Sequence, residues 1–224
     1  MDARKEGAIP WEWVEDRLRR PQRVSMWADL ADFAETAVQA YRRDVWDTQG
    51  RLVEVWLEKD ALSGFFEDIL RPYGVTLNVG RGYDGWDSIH NAARRYLGWG
   101  ENVTILYFGD FDPSGEDMVR SLGERLEFFG TSPELIKCAL TLGDIETYNL
   151  PPDFTKTTDT RRAAFVARWA TSPWSLTHCQ SNEVLRERLQ AEIERRMDLD
   201  DLATIRAQEA GGRQRIATAL GAAT

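Results

Sequence analysis

Apolar positions follow two rhythms along this chain of 224 residues. Short runs rich in β-branched and aromatic residues read as strands at Leu52–Leu57, 75–79, Val103–Phe108 and 135–140. Between them the apolar residues recur with the helical period over 61–70, 86–97 and 116–128. Strand and helix alternate throughout 51–145, which predicts an α/β domain: a Rossmann-like parallel sheet with flanking helices and right-handed crossovers. Helical patterns also lie outside it. Trp11, Val14 and Leu18 share one face of a short segment stopped by Pro21. Met26, Leu30, Phe33, Ala34, Ala37 and Tyr41 mark an amphipathic helix within 25–44, with Tyr41 continuing its core stripe. Downstream, 161–170 reads as a helix, and Val184, Leu185, Leu189 and Ile193 give another an apolar face within 182–197. After about Asp200 the chain becomes Ala/Gly/Arg-rich, with Gly211-Gly212 in its midst; residues 202–209 suit a helix, and the last dozen, 213–224, read as a frayed or disordered tail. The segments expected are a helical N-terminal part (1–50), the α/β domain (51–145), a helical extension (146–200) and a tail (201–224).

The run from Val103 to Phe108 ends in two aspartates, Asp110 and Asp112, and then turns into a helical pattern. Asp112 suits an N-cap and Pro113 the first helical position. Two carboxylates so close repel unless a cation or proton lies between them. Mg²⁺ suits such hard oxygen donors, taking one or two carboxylates and keeping several waters. A second strand-like run also ends in an acid, Glu58, with Lys59 beside it. If the first and third strands are neighbours, Glu58 meets Asp110 and Asp112 where a doubly wound sheet opens a ligand crevice. Gly80-Arg81-Gly82-Tyr83 follows the second strand. It reads equally as a phosphate-holding loop, with Arg81 as the bidentate donor, or as a tight strand-to-helix turn. Lys59 is either a point charge for phosphate or a surface lysine. His90 fits a packed or half-exposed helix histidine. Lys156, Asp159 and Arg161 line the site or simply cap a helix.

Composition narrows the setting. No apolar run approaches the 18 residues a membrane helix needs, and the N-terminus carries no signal-like segment, so a cytoplasmic protein is expected. Two cysteines, Cys138 and Cys179, make no disulfide framework, and Cys138 reads as a packed thiol. The net charge of −9 argues against a generic nucleic-acid binder, although a metal site is itself acidic and arginines can still gather on one face.

Three stretches together carry a resemblance: Glu58-Lys59-Asp60-Ala61-Leu62, Gly80-Arg81-Gly82-Tyr83 and Gly109-Asp110-Phe111-Asp112-Pro113-Ser114-Gly115. In this order they resemble the TOPRIM domain of the type found in the A subunit of topoisomerase VI and its bacterial and phage relatives. The resemblance covers roughly 50–145. It implies a Mg²⁺- or Mn²⁺-dependent site for breaking or making phosphodiester bonds. Catalytic and metal roles carry over to Glu58, Asp110 and Asp112, and nucleic-acid contact is expected of Lys59 and Arg81. In that family a winged-helix part with a strand-cleaving tyrosine precedes this domain. Ile9-Pro10-Trp11-Glu12 resembles only its later portion, so a metal-dependent endonuclease is expected rather than a topoisomerase. A non-cutting, metal- and DNA-binding subunit of a larger topoisomerase VI-like or defence assembly is the alternative, and a primase-like enzyme a third reading. The expected partner is nucleic acid, DNA before RNA, with no membrane and with room for a homodimer.

Overall fold

The structure, a computed structural model, describes residues 24–80, 85–149, 162–169 and 182–221. The chain forms two compact units, one from Arg42 to Ala210, the other from Met1–Tyr41 and Gly211–Thr224.

The larger unit is α/β. Its strands β1 (Leu52–Leu57), β2 (Thr76–Val79), β3 (Val103–Phe108) and β4 (Glu134–Ala139) pair in parallel in the order β2-β1-β3-β4. All six residues of β3 are buried, as a central parallel strand covered on both faces should be. The helices between the strands are α2 (Ser63–Leu70), α3 (Trp86–Tyr96) and α4 (Pro113–Phe128). After β4 come α5 (Leu142–Tyr148), α6 (Arg162–Trp169) and α7 (Asn182–Glu194). The pleat sorts the core into two sets. Val53, Val55, Leu57, Leu106 and Phe108 pack with Phe66, Ile69 and Leu70 of α2 and with Leu185, Leu189 and Ile193 of α7. Trp56, Val103, Ile105 and Tyr107 pack instead with Ile89, Ala93 and Tyr96 of α3 and Leu122 and Leu126 of α4. The sheet is therefore covered by helices on both faces. β1 feeds β2 on one side, and the chain then returns past β1 to build β3 and β4 on the other. The switch in direction falls between β1 and β3, the juxtaposition the sequence pattern anticipates. Burial pushes the Cys138 thiol up to about 12, in keeping with a packed, inert cysteine.

The smaller unit departs from the sequence reading. Helix α1 spans only Leu30–Ala40, because Asp29 caps it by accepting the Asp32 backbone N–H at 2.9 Å. Of the expected apolar stripe Ala34 is buried, Met26, Leu30 and Phe33 are exposed, and Tyr41 is half-buried at the C-cap. The tail expected to fray is helical as far as Leu220: α8 runs from Leu199 to Leu220, its residues up to Ala210 belonging to the larger unit. Each interior glycine costs a helix about 1 kcal/mol relative to alanine, yet α8 passes through Gly211 and Gly212. At Gly212 a side chain would collide with the Tyr41 ring, so the glycine lets that ring lie against the helix. Arg213 Nε also donates to the Tyr41 carbonyl at 3.2 Å. Among the described residues no helix is long and apolar enough to cross a membrane.

Candidate active site at the ends of β1 and β3

Backbone pairing continues past the strand ends and fixes their relation. Glu58 N–H donates to the Phe108 carbonyl at 2.9 Å, and Gly109 N–H donates to the Ala139 carbonyl at 2.7 Å. Glu58 thus leaves β1 beside the segment that carries Gly109, Asp110 and Asp112. Its Oε2 accepts the Asp110 backbone N–H at 2.9 Å, a contact spanning 52 residues of sequence.

Two glycines make that approach feasible. A Cβ on Gly109 would stand 2.5 Å from Glu58 Oε2. A Cβ on Gly115 would overlap the Asp110 carbonyl oxygen and stand 3.4 Å from the same Glu58 oxygen. Both glycines are needed because backbone and carboxylate crowd here, whatever their φ angles. The turn between them behaves as its sequence suggests. Asp112 caps α4, accepting the Gly115 N–H at 2.7 Å, and Pro113 opens the helix.

The electrostatics follow from crowding and burial. Burial raises Glu58 to about 7, and the charges of Asp110 and Asp112 push it further the same way, against the Asp110 N–H and Lys59. Asp112 is also raised, first by burial and then by the charge of Asp110. Asp110 is only 8% exposed. Its Oδ2 lies 3.2 Å from Lys59 Nζ. Lys59, expected as a point charge for phosphate or as a surface lysine, is thus ion-paired to one of the site's own carboxylates.

Lys137, on β4, is a member of the site that sequence reasoning missed. Its ammonium donates to the Asp110 carbonyl at 2.8 Å, pairs with Glu116 of α4, and lies over the Phe111 ring. The signal was present: a lysine among the apolar residues that follow Glu134 in the strand Glu134-Leu-Ile-Lys-Cys-Ala139, opposite Tyr107 of β3. A strand that keeps a lysine there needs a partner for it.

The structure thus brings Glu58, Lys59, Asp110 and Asp112 together. Each carboxylate has one oxygen committed to a partner of its own: the Asp110 N–H, Lys59 and the Gly115 N–H respectively. Among the described residues no group of three or more His, Cys, Asp or Glu side chains is placed to hold a metal ion. The donor chemistry still fits a hard cation that needs one or two carboxylates. Arg81, Gly82 and Tyr83 lie outside the described residues, as do Lys156, Asp159, Arg161, Cys179 and the short segment around Trp11. His90 is exposed on α3, its ring 5.1 Å from that of Phe129.

No protein-family model matches the chain, and no similar curated protein or solved structure is found.

Proposed function

We propose that this protein hydrolyses phosphodiester bonds of nucleic acid, DNA in the first instance, with Mg²⁺ or Mn²⁺ held by Asp110 and Asp112, and that its larger unit is a TOPRIM-type domain. One observation carries the reading: a glutamate poised to exchange a proton near pH 7 stands against two aspartates at the switch point of a parallel sheet. Such a proton affinity suits acid–base work at neutral pH, and the switch point is where open α/β sheets take ligands. A divalent ion supplies charge neutralisation at the scissile phosphate and acidifies water.

In this reading Glu58 accepts the proton of the attacking water. The water oxygen bonds to phosphorus as the bond to the ester oxygen breaks, the leaving oxygen takes a proton from solvent water, and Glu58 returns its proton to solvent. Lys137 holds the Asp110 carbonyl and so fixes the strand end on which the aspartates stand. Arg81 and Lys59 supply cationic contacts to the backbone of the substrate.

The test is incubation of the purified protein with supercoiled plasmid and labelled single strands in Mg²⁺, Mn²⁺ or EDTA. Cleavage in either metal, lost in EDTA and in the Asp110→Asn/Asp112→Asn double variant, is the expected result. Absence of cutting in every condition, with metal-dependent DNA binding retained, would replace this reading with a non-cutting binding subunit.

A further inference from the structure

Two lysines touch Asp110, and they touch it differently. Lys137 reaches the main-chain carbonyl and pairs with Glu116 on α4, so its charge braces the turn. Lys59 reaches the carboxylate itself, at 3.2 Å from Oδ2. That carboxylate is the group a cation at this site must use, and its side chain is only 12% exposed. A buried anion beside two further carboxylates requires a compensating positive charge in the folded protein. Lysine suits a replaceable one: a compact, strongly hydrated charge on a flexible four-carbon stem. The Lys59 side chain keeps 29% of its surface in water, so it has a route into solvent. Its backbone lies in the short connection between β1 and the 3₁₀ turn Asp60–Leu62, just after the strand that delivers Glu58.

We propose that Lys59 is an exchangeable counter-ion: it holds Asp110 when no metal is bound, yields that carboxylate to an arriving divalent ion, and is thereby released to meet a phosphate group. The inference rests on the proposed metal-binding role of Asp110. It adds a coupling: metal binding and the supply of a phosphate-binding cation become one event. It also explains why a cation should stand on the very carboxylate the reaction needs. Without it, the repulsion among Glu58, Asp110 and Asp112 in the metal-free protein would be stronger.

The experiment is a Mg²⁺ titration of the full chain by calorimetry, paired with the metal-dependent rise in melting temperature, for wild type, Lys59→Gln and Lys59→Arg. Removing the competing charge should tighten Mg²⁺ binding about three- to tenfold in Lys59→Gln, the size expected for losing one partly exposed ion pair. Its melting temperature should then rise more steeply with Mg²⁺, because a ligand bound only to the native state stabilises by mass action. Lys59→Arg keeps the charge and gains a fork suited to carboxylate, so it should bind Mg²⁺ no more tightly than wild type, and it serves as the folded control. If wild type binds Mg²⁺ and Lys59→Gln binds it equally or more weakly, Lys59 is a fixed part of the site and the exchange is overturned while the metal reading stands. If tightening appears equally in Lys59→Arg, the lysine obstructs by shape, and charge competition is overturned. Binding by none of the three would overturn the metal reading and this inference with it.

Discussion

Glu54 and Glu58 lie four residues apart on β1 and its immediate continuation, and their surroundings could hardly differ more. Glu54 is 1% exposed in mid-strand and fully provided for. Arg95 grips it with two N–H groups at 2.9 and 2.8 Å, Tyr96 Oη donates at 2.8 Å, and Asn78 Nδ2 donates at 2.7 Å. Trp56 Nε1 in turn donates to Tyr96 Oη at 3.1 Å. Glu58 instead accepts the Asp110 N–H and faces two aspartates, and its carboxyl is raised to about 7. The same residue type on one strand is an anchored structural charge at one point and a carboxyl of raised proton affinity at the other. Burial of a carboxylate does not mark a reactive site. Burial with too little positive charge does.

The comparison breaks first at Glu58. Glu58→Gln keeps an oxygen for the Asp110 N–H but cannot take a proton. Single-turnover cleavage should slow by roughly 10²–10⁴-fold, the usual worth of a general acid or base. Cleavage at the wild-type rate would make Glu58 a structural strand-end acid. The complementary change is Arg95→Met, which leaves Glu54 buried without its cation. Breaking a buried pair costs about 3–5 kcal/mol, and we expect the lower end because Arg95 keeps part of its surface in water. Urea denaturation reads this, and a loss below about 1 kcal/mol would show that Tyr96 and Asn78 alone suffice.

A smaller effect is expected at Gly115. Gly115→Ala forces a methyl onto the Asp110 carbonyl oxygen. Overpacking of this kind costs about 1–3 kcal/mol, and the displaced strand end should also slow cleavage. Unchanged stability together with unchanged activity would show that the turn is loose. The smallest effect is a pH dependence of stability in EDTA. Glu58 holds its proton in the folded state up to about 7 and releases it near 4.5 when unfolded. The folded state therefore binds more protons across that window. Stability from this group is intact below 4.5 and lost as pH rises through 7. Wild type should lose about 1–2 kcal/mol relative to Glu58→Gln between pH 5 and 8, allowing for water at a partly exposed group. A gap that stays constant with pH would contradict the raised carboxyl.

Much of the fold was legible because the strands advertise themselves. β1 and β3 are six-residue runs that are apolar but for Glu54 and Thr104, with the bounds the pattern predicts. Alternation predicts a parallel sheet, and the sheet order then meets the condition that β1 and β3 be neighbours, which brings Glu58 to Asp110 and Asp112. The Asp112 cap and Pro113 were legible as local chemistry. What was not legible depends on side chains reaching across the sheet. Lys137 joins the site only because β4 pairs beside β3, and Arg95 finds Glu54 across 41 residues of sequence. The length of α8 was hidden for the opposite reason. Gly211-Gly212 reads as a helix breaker until the Tyr41 ring occupies the room it leaves. The stripe expected along 25–44 shows the limit of periodicity: Met26, Leu30 and Phe33 have helical spacing, yet Met26 lies before α1 and all three stay exposed.

The most direct test of the contrast between the two glutamates is a ¹³C-carboxylate NMR titration of Glu58 in the full chain, first in EDTA and then with saturating Mg²⁺. A midpoint near 7 is expected without metal, and a clear fall in that midpoint once a divalent ion stands beside the carboxylates. A midpoint near the ordinary 4.5 in both conditions would contradict it.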